Sequence, residues 1–257
     1  MNKYFTAFIL LVLSFFYIFF SNDSGGGRVF VNLLTFAGIY GLAAIGINVH
    51  FGWTGLLNFG HAAFMGIGAY TTVLLIPHSL GREGVVISTG LPLPLAIILG
   101  LIASALLGLL LGLPTLRLRG DYLAIVTIAA AEIFRLLVRD FEDLTGGVYG
   151  IIQFSDSLQN SRPDFITQFS ENYNISSAQL WVGLLTWFSI VFVLIILARL
   201  KKSPWGRALR AVREDEDAVR ALGKNAVLLK LQSFMLGAAI GGLSGIFLVF
   251  NYGTVQA

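Results

Sequence analysis

Cysteine is absent from this chain of 257 residues. That excludes disulfide cross-links, thiolate metal centres and cysteine nucleophiles. Charge is also scarce, at 12% of residues, where a soluble domain carries about 25%. Only three histidines occur, His50, His61 and His78. No two of them are three or four residues apart and no acid accompanies them in an apolar stretch, so they make no metal pattern. A phosphate-cradling loop is missing as well. Gly223-Lys224 is followed by Asn225 and lacks the upstream glycine, so any use of ATP belongs to another chain. Intramembrane carboxylates are too few for a proton relay, which counts against an ion-coupled secondary transporter.

Hydrophobic residues, by contrast, make up 56% of the chain. Stretches near twenty apolar residues recur, each long enough to cross a hydrocarbon core of roughly 30 Å. The expected fold is all-α, a polytopic helical membrane protein with about seven spans, near 4–20, 29–49, 55–76, 93–113, 121–139, 180–199 and 230–251. The first span is followed by no small-residue cleavage site and reads as retained. The third, rich in glycine and holding Asn58 and His61, reads as broken or re-entrant as readily as a simple helix. The net charge of +3 comes largely from one segment, a pattern that fits membrane topology and gives no reason to expect nucleic acid. Membrane lipid is the expected surrounding.

That segment, residues 199–230, carries nine basic residues and the acid run Glu214-Asp215-Glu216-Asp217. The positive-inside rule places it in the cytoplasm. Arg117, Arg119 and Lys3 then also fall inside, and the acidic 140–179 loop falls outside. Ser203-Pro204 is a helix start, and Gly223 is a natural helix stop. Between them Trp205, Leu209, Val212, Val219 and Leu222 follow at helical spacing, interrupted at 214–217. Arg210/Glu214, Arg213/Asp217 and Glu216/Arg220 are possible i,i+4 pairs. The segment can lie on an anionic leaflet or dock into a soluble protein. The acid run favours docking, because acids gain nothing from anionic lipid.

Small residues repeat every fourth position as Gly100, Ser104, Gly108, Gly112 and again as Gly237, Gly241, Gly245. On helices these make flat faces for close packing in lipid. Gly242-Leu243-Ser244-Gly245 matches the G-x-S-G of rhomboid proteases, but every histidine precedes it, the reverse of their order. His61 within a span is either a functional group or a histidine hydrogen-bonded to a neighbouring helix. Glu132 and Arg135 can pair on one helix face.

Three stretches, in the expected order, resemble branched-chain amino-acid ABC transporter permeases of the LivH/LivM family, the LivM type most closely. They are Gly55-Leu-Leu-Asn58-Phe-Gly60-His61-Ala-Ala-Phe64-Met65-Gly66-Ile-Gly68-Ala-Tyr70, then Leu144-Thr145-Gly146-Gly147-Val-Tyr-Gly150-Ile151, then the run from Trp205 to Gly223. The resemblance implies a permease subunit, not itself an enzyme, of an ATP-driven importer of neutral or branched-chain amino acids. Its implied partners are a LivH-type permease, two cytoplasmic ATPase subunits and a periplasmic binding protein. ATP and Mg would sit on the ATPase subunits, with no cofactor in this chain. The implied location is the bacterial inner membrane, with the N-terminus cytoplasmic. Asn58, Gly60, His61, Phe64, Thr145, Gly146 and Gly147 are the substrate-pathway candidates. Trp205, Gly206, Arg207, Arg210, Glu214, Asp215, Ala218 and Gly223 are the candidates for a coupling loop at about 200–229. Some members of the family carry urea or other small amides, and these motifs do not separate them. LivM-type proteins continue through further spans, so residues 1–257 are expected to be one transmembrane permease domain, incomplete at the C-terminus.

Overall fold

The structure is a computed structural model that describes residues 17, 26–77, 79–80, 90–115, 120–152, 154, 156–172 and 175–256. The expected 4–20 span, apart from Tyr17, lies outside the described residues, as do Arg117 and Arg119. In chain order the long helices are α1 (Gly26–Thr54), α2 (His61–Leu75), α3 (Leu93–Thr115) and α4 (Gly120–Asp140). Short helices α5 (Glu142–Thr145), α6 (Asp156–Gln159) and α7 (Asp164–Asn172) follow. The chain then returns through α8 (Ser177–Lys202), α9 (Pro204–Glu214), α10 (Glu216–Ala221) and α11 (Ala226–Tyr252).

Among the described residues, four helices are long and apolar enough to cross a membrane: α1, α3, α8 and α11. The expected count of about seven is therefore not reached among them. The expected 55–76 span is broken: Gly55 adopts φ 71° after α1 ends, and helix resumes only at His61. The remaining 15 residues of α2 span about 22 Å, short of a full hydrocarbon core. Helix α4 has 21 residues, but Glu132, Arg135 and Arg139 lower its apolar character.

Helix α11 is the centre of the bundle. Of its apolar stretch 72% is buried, against 28% for α3 and for α8. It packs on α1, α2 and α3, while α8 packs mainly on α1. The glycine series explain the closeness. A Cβ at Gly237 would strike the His50 ring, and one at Gly245 the Met65 backbone. One at Gly241 would lie 2.6 Å from His61 Nε2. On α3, a Cβ at Gly108 would come within 2.8 Å of Ala238 Cβ. In lipid, where apolar burial drives little, such close backbone approach supplies the packing. Small hydroxyls add to it: Ser104 Oγ lies 3.1 Å from Phe64 O and shares its one proton between that carbonyl and Gly100 O of its own helix (2.9 Å), and Ser233 Oγ donates to Val49 O (2.8 Å).

One feature departs from the all-helical expectation. Three two-residue strands, β1 (Ser79–Leu80), β2 (Ile151–Ile152) and β3 (Thr254–Val255), form an antiparallel sheet in the order β1-β2-β3. Gly253, at φ 72°, ends α11 and turns the chain into β3. The sheet lies at the opposite end of α11 from α9 and α10, and it ties together the chain after α2, the loop after α5 and the end of α11.

The glycine contacts predict opposite outcomes for two alanine substitutions. Gly245→Ala should lower stability by about 1–3 kcal/mol through overpacking against Met65. At Gly41 a Cβ meets only Ile190 Cδ1 at an ordinary 3.7 Å, so Gly41→Ala should be neutral or stabilise by up to ~1 kcal/mol. Thermal unfolding of the purified protein in detergent measures both.

Candidate functional site

The break between α1 and α2 carries a buried polar network. A backbone carbonyl can only accept, so His50 Nε2 donates to Phe234 O on α11 at 2.9 Å. That fixes the neutral Nε2–H tautomer. His50 Nδ1 is then an acceptor, and Asn58 Nδ2 donates to it at 3.0 Å. The Asn58 amide is thereby oriented, and its Oδ1 accepts from Gly60 N at 3.0 Å. Asn58 thus closes the 55–60 turn and links it to α1 and α11. Gly60 sits so tightly that a Cβ would overlap Thr127 O of α4, while Phe59 N donates to Thr127 Oγ1 at 3.2 Å.

His61 and Phe64 complete the cluster. The His61 ring stands edge-on to His50 at 5.7 Å and to Phe64 at 5.9 Å. Phe64 meets Phe234 at 5.6 Å. His61 is 5% exposed, lies against Gly46 and Gly241, and finds no hydrogen-bond partner among the described residues. The histidine bonded to a neighbouring helix is therefore His50. Sequence reasoning weighed His50 only as a metal ligand or a base. No helical spacing links it to Asn58, because the contact crosses the glycine break at Gly55.

Thr145, Gly146 and Gly147 lie elsewhere. Thr145 Oγ1 lies 2.5 Å from Val138 O and 2.8 Å from Phe141 O, and its single proton serves one or is shared between them, closing the end of α4. Gly146 and Gly147 hold φ 74° and 54°, and the turn they form delivers Ile151 to the sheet. Thr127, beside Gly60, and Val138, beside Thr145, are about 16 Å apart along α4. The two groups of pathway candidates therefore sit at different levels of α4.

Between them runs a groove of about 580 Å³ along α2 and α4, lined mainly by apolar residues. Its charges are Glu132 and Arg135, which form the expected pair at 2.6 Å with both side chains about half exposed. Such exposed pairs contribute little stability.

At the other end, α9 and α10 fold back on the bundle. Ser203 caps α9, accepting from Gly206 N at 3.2 Å. Gly206 is buried where a Cβ would overlap Leu200 O of α8. Val212 and Val219 pack with Ala226. Trp205 Nε1 donates to Gln232 Oε1 at 2.7 Å, and its ring meets Trp53 edge-on at 6.0 Å. Arg213 Nη1 donates to Gly52 O at 2.7 Å, in the last turn of α1, where a cation complements the helix dipole.

The side-chain pairing differs in part from the spacing. Arg210 bonds Gly206 O and Lys201 O, and Arg207 bonds Lys202 O. Glu216 holds Arg220 at 2.7 Å as expected, and also holds Lys230 of α11. Asp215 is a cap, accepting from Ala218 N at 2.9 Å. The expected Arg210/Glu214 and Arg213/Asp217 pairs give way because backbone carbonyls lie closer to both arginines. Glu214, Asp217, Ala218 and Gly223 face outward, and Leu222 stands 81% exposed at the tip.

These elements define a helical integral membrane protein with a charged helix pair clamped to one end of its central helices. The chain belongs to the family described as branched-chain amino acid transport system / permease component, whose model matches residues 29–257. It is 38% identical over 237 residues to the high-affinity branched-chain amino acid transport system permease proteins LivM of Salmonella typhimurium and Escherichia coli. Those matches cover 88% of this chain and 53% of each relative, so the chain spans about half their length. It is 28% identical over 229 residues to the permease protein LivH of Escherichia coli, covering 88% of this chain and 71% of the relative. No solved structure matches the chain.

The network predicts that Asn58→Ala leaves His50 Nδ1 and Gly60 N unpaired in a buried site. Each unpaired group costs about 1–3 kcal/mol, so the variant should melt well below the parent in detergent. Asn58→Asp cannot donate to His50 and should not restore the melting temperature.

Proposed function

We propose that this chain is a permease subunit of an ATP-driven importer for neutral, branched-chain amino acids delivered by a periplasmic binding protein. The observation that carries the reading is the double attachment of α9 and α10. Arg213 and Trp205 fasten them to the end of α1 at Gly52 and Trp53. Trp205 and Glu216 fasten them to α11 at Gln232 and Lys230. A force on this pair reaches both helices whose His50–Phe234 bond and His50–Asn58 bond surround the α1–α2 break.

In this reading the outward face of Glu214, Ala218 and Leu222 docks into one of two ATPase subunits, which hold ATP and Mg. The basic end of the bundle is cytoplasmic by the positive-inside rule, the N-terminus lies on the same side, and the membrane is the bacterial inner membrane. A LivH-type permease is the second membrane subunit, and the described residues form part of a single permease domain. ATP and the loaded binding protein each bias one inward/outward equilibrium, and α9–α10 carry that coupling. An intramembrane serine protease finds no support: Ser244 is fully buried and its Oγ donates to Ile39 O at 2.8 Å.

The test is co-expression with the neighbouring genes and purification. An ATPase should co-purify, and its ATP hydrolysis should rise with leucine-loaded binding protein. Recovery without an ATPase, or hydrolysis indifferent to the loaded protein, sinks the reading. Glu214→Lys combined with Leu222→Asp should release the ATPase without loss of membrane insertion. Asp215→Asn keeps the helix cap and should retain the ATPase.

A further inference from the structure

We infer that the groove between α2 and α4 is the contact site for a zwitterionic, apolar amino acid, held by Arg135 at its carboxylate, Glu132 at its ammonium group and the Tyr70 hydroxyl. The inference rests on the importer reading and assigns its substrate to named residues of this chain.

Separate observations meet in this groove. Its volume, about 580 Å³, lies in the range of small-molecule sites. Its walls include Phe59, Ala63, Ile128, Ala131, Phe134 and Val138, which suit a branched aliphatic side chain. Glu132 and Arg135 are the only charged residues of α4 between Tyr122 and Val138, and both line the groove. An ionised pair on an apolar helix is costly against hydrocarbon, so this face borders water or protein. Tyr70, also lining the groove, is 5% exposed. Its buried hydroxyl has no hydrogen-bond partner among the described residues, although buried polar groups are nearly always paired.

The chemistry matches an amino acid and not its neutral relatives. An α-amino acid carries both charges on one carbon. The guanidinium of Arg135 and the carboxylate of Glu132 now satisfy each other at 2.6 Å. Each can turn to the opposite charge of the ligand, exchanging one ion pair for two. Arginine presents a planar fork suited to a carboxylate. Urea and simple amides carry neither charge and would gain nothing from opening the pair, so the groove selects amino acids over them.

The complete transporter in proteoliposomes, with ATP inside and leucine-loaded binding protein outside, tests this. Arg135→Gln and Glu132→Gln should each slow leucine uptake roughly tenfold or more, and Tyr70→Phe severalfold. Stimulation of ATP hydrolysis by the loaded binding protein should stay near the wild-type level. Because the chain has no cysteine, Ala131→Cys places a single thiol in the groove. Leucine should slow its labelling during turnover, and Arg135→Gln should abolish that protection. If either charge variant fails to assemble, protection of Ala131→Cys in the otherwise wild-type chain decides. Normal uptake in all three variants overturns the site, as does labelling indifferent to leucine or a leucine-insensitive cross-link from Ala131→Cys to the partner permease. In those outcomes the importer reading stands. It fails separately if the wild-type transporter shows no ATP-driven amino acid uptake.

Discussion

The close approach of α11 to α1, α2 and α3 governs this structure. Lipid is as apolar as a leucine side chain, so helices gain little by hiding leucine from it. What remains is contact between backbones, and contact requires residues without bulk. Gly237, Gly241 and Gly245 bring α11 against His50, His61 and Met65. Once the helices are that close, short polar side chains can reach across: Ser233 to Val49, Ser244 to Ile39, His50 to Phe234. The polar network is thus a consequence of the glycine faces. It also fixes their register, since each bond is satisfied at one position only.

The same closeness brings the charged helix pair next to the buried cluster. Helices α9 and α10 touch α1 at its final turn and α11 at its first turns. His50 lies one residue before Phe51 and two before Gly52, within the turn that Arg213 grips. Helix α9 and the buried cluster thus share one helix end, with no intervening element between Arg213 and the segment that carries His50.

Much of this was legible in the chain. The four long spans follow from apolar length, and the α9–α10 break from Ser203, Asp215 and Gly223. The glycine series correctly implied close helix faces. The buried network was legible only in part. Asn58 and His61 stand out by motif, but His50 pairs with Asn58 across a break whose geometry depends on Gly55 at positive φ. Spacing on a regular helix gives no hint of such a contact. The Glu132/Arg135 and Glu216/Arg220 pairs form at their helical spacing, but Arg210/Glu214 and Arg213/Asp217 do not, for a related reason. Spacing cannot reveal that Arg213 has the carbonyl of Gly52 nearby, 161 residues away in sequence. The three-stranded sheet was invisible, because two-residue strands leave no periodic trace.

That sheet has a mechanical meaning. Ile151 bonds to strands from both other loops, so the ends of α2, α4 and α11 are stapled together on one side of the bundle. The opposite side is where Arg213 and Glu216 grip. The bundle is therefore tied at both ends of α11, by the sheet beyond Gly253 and by the contacts of Trp205 and Glu216 with Gln232 and Lys230. Under the proposed importer role, those two ties would leave tilting of α11 between them as the simplest motion open to it.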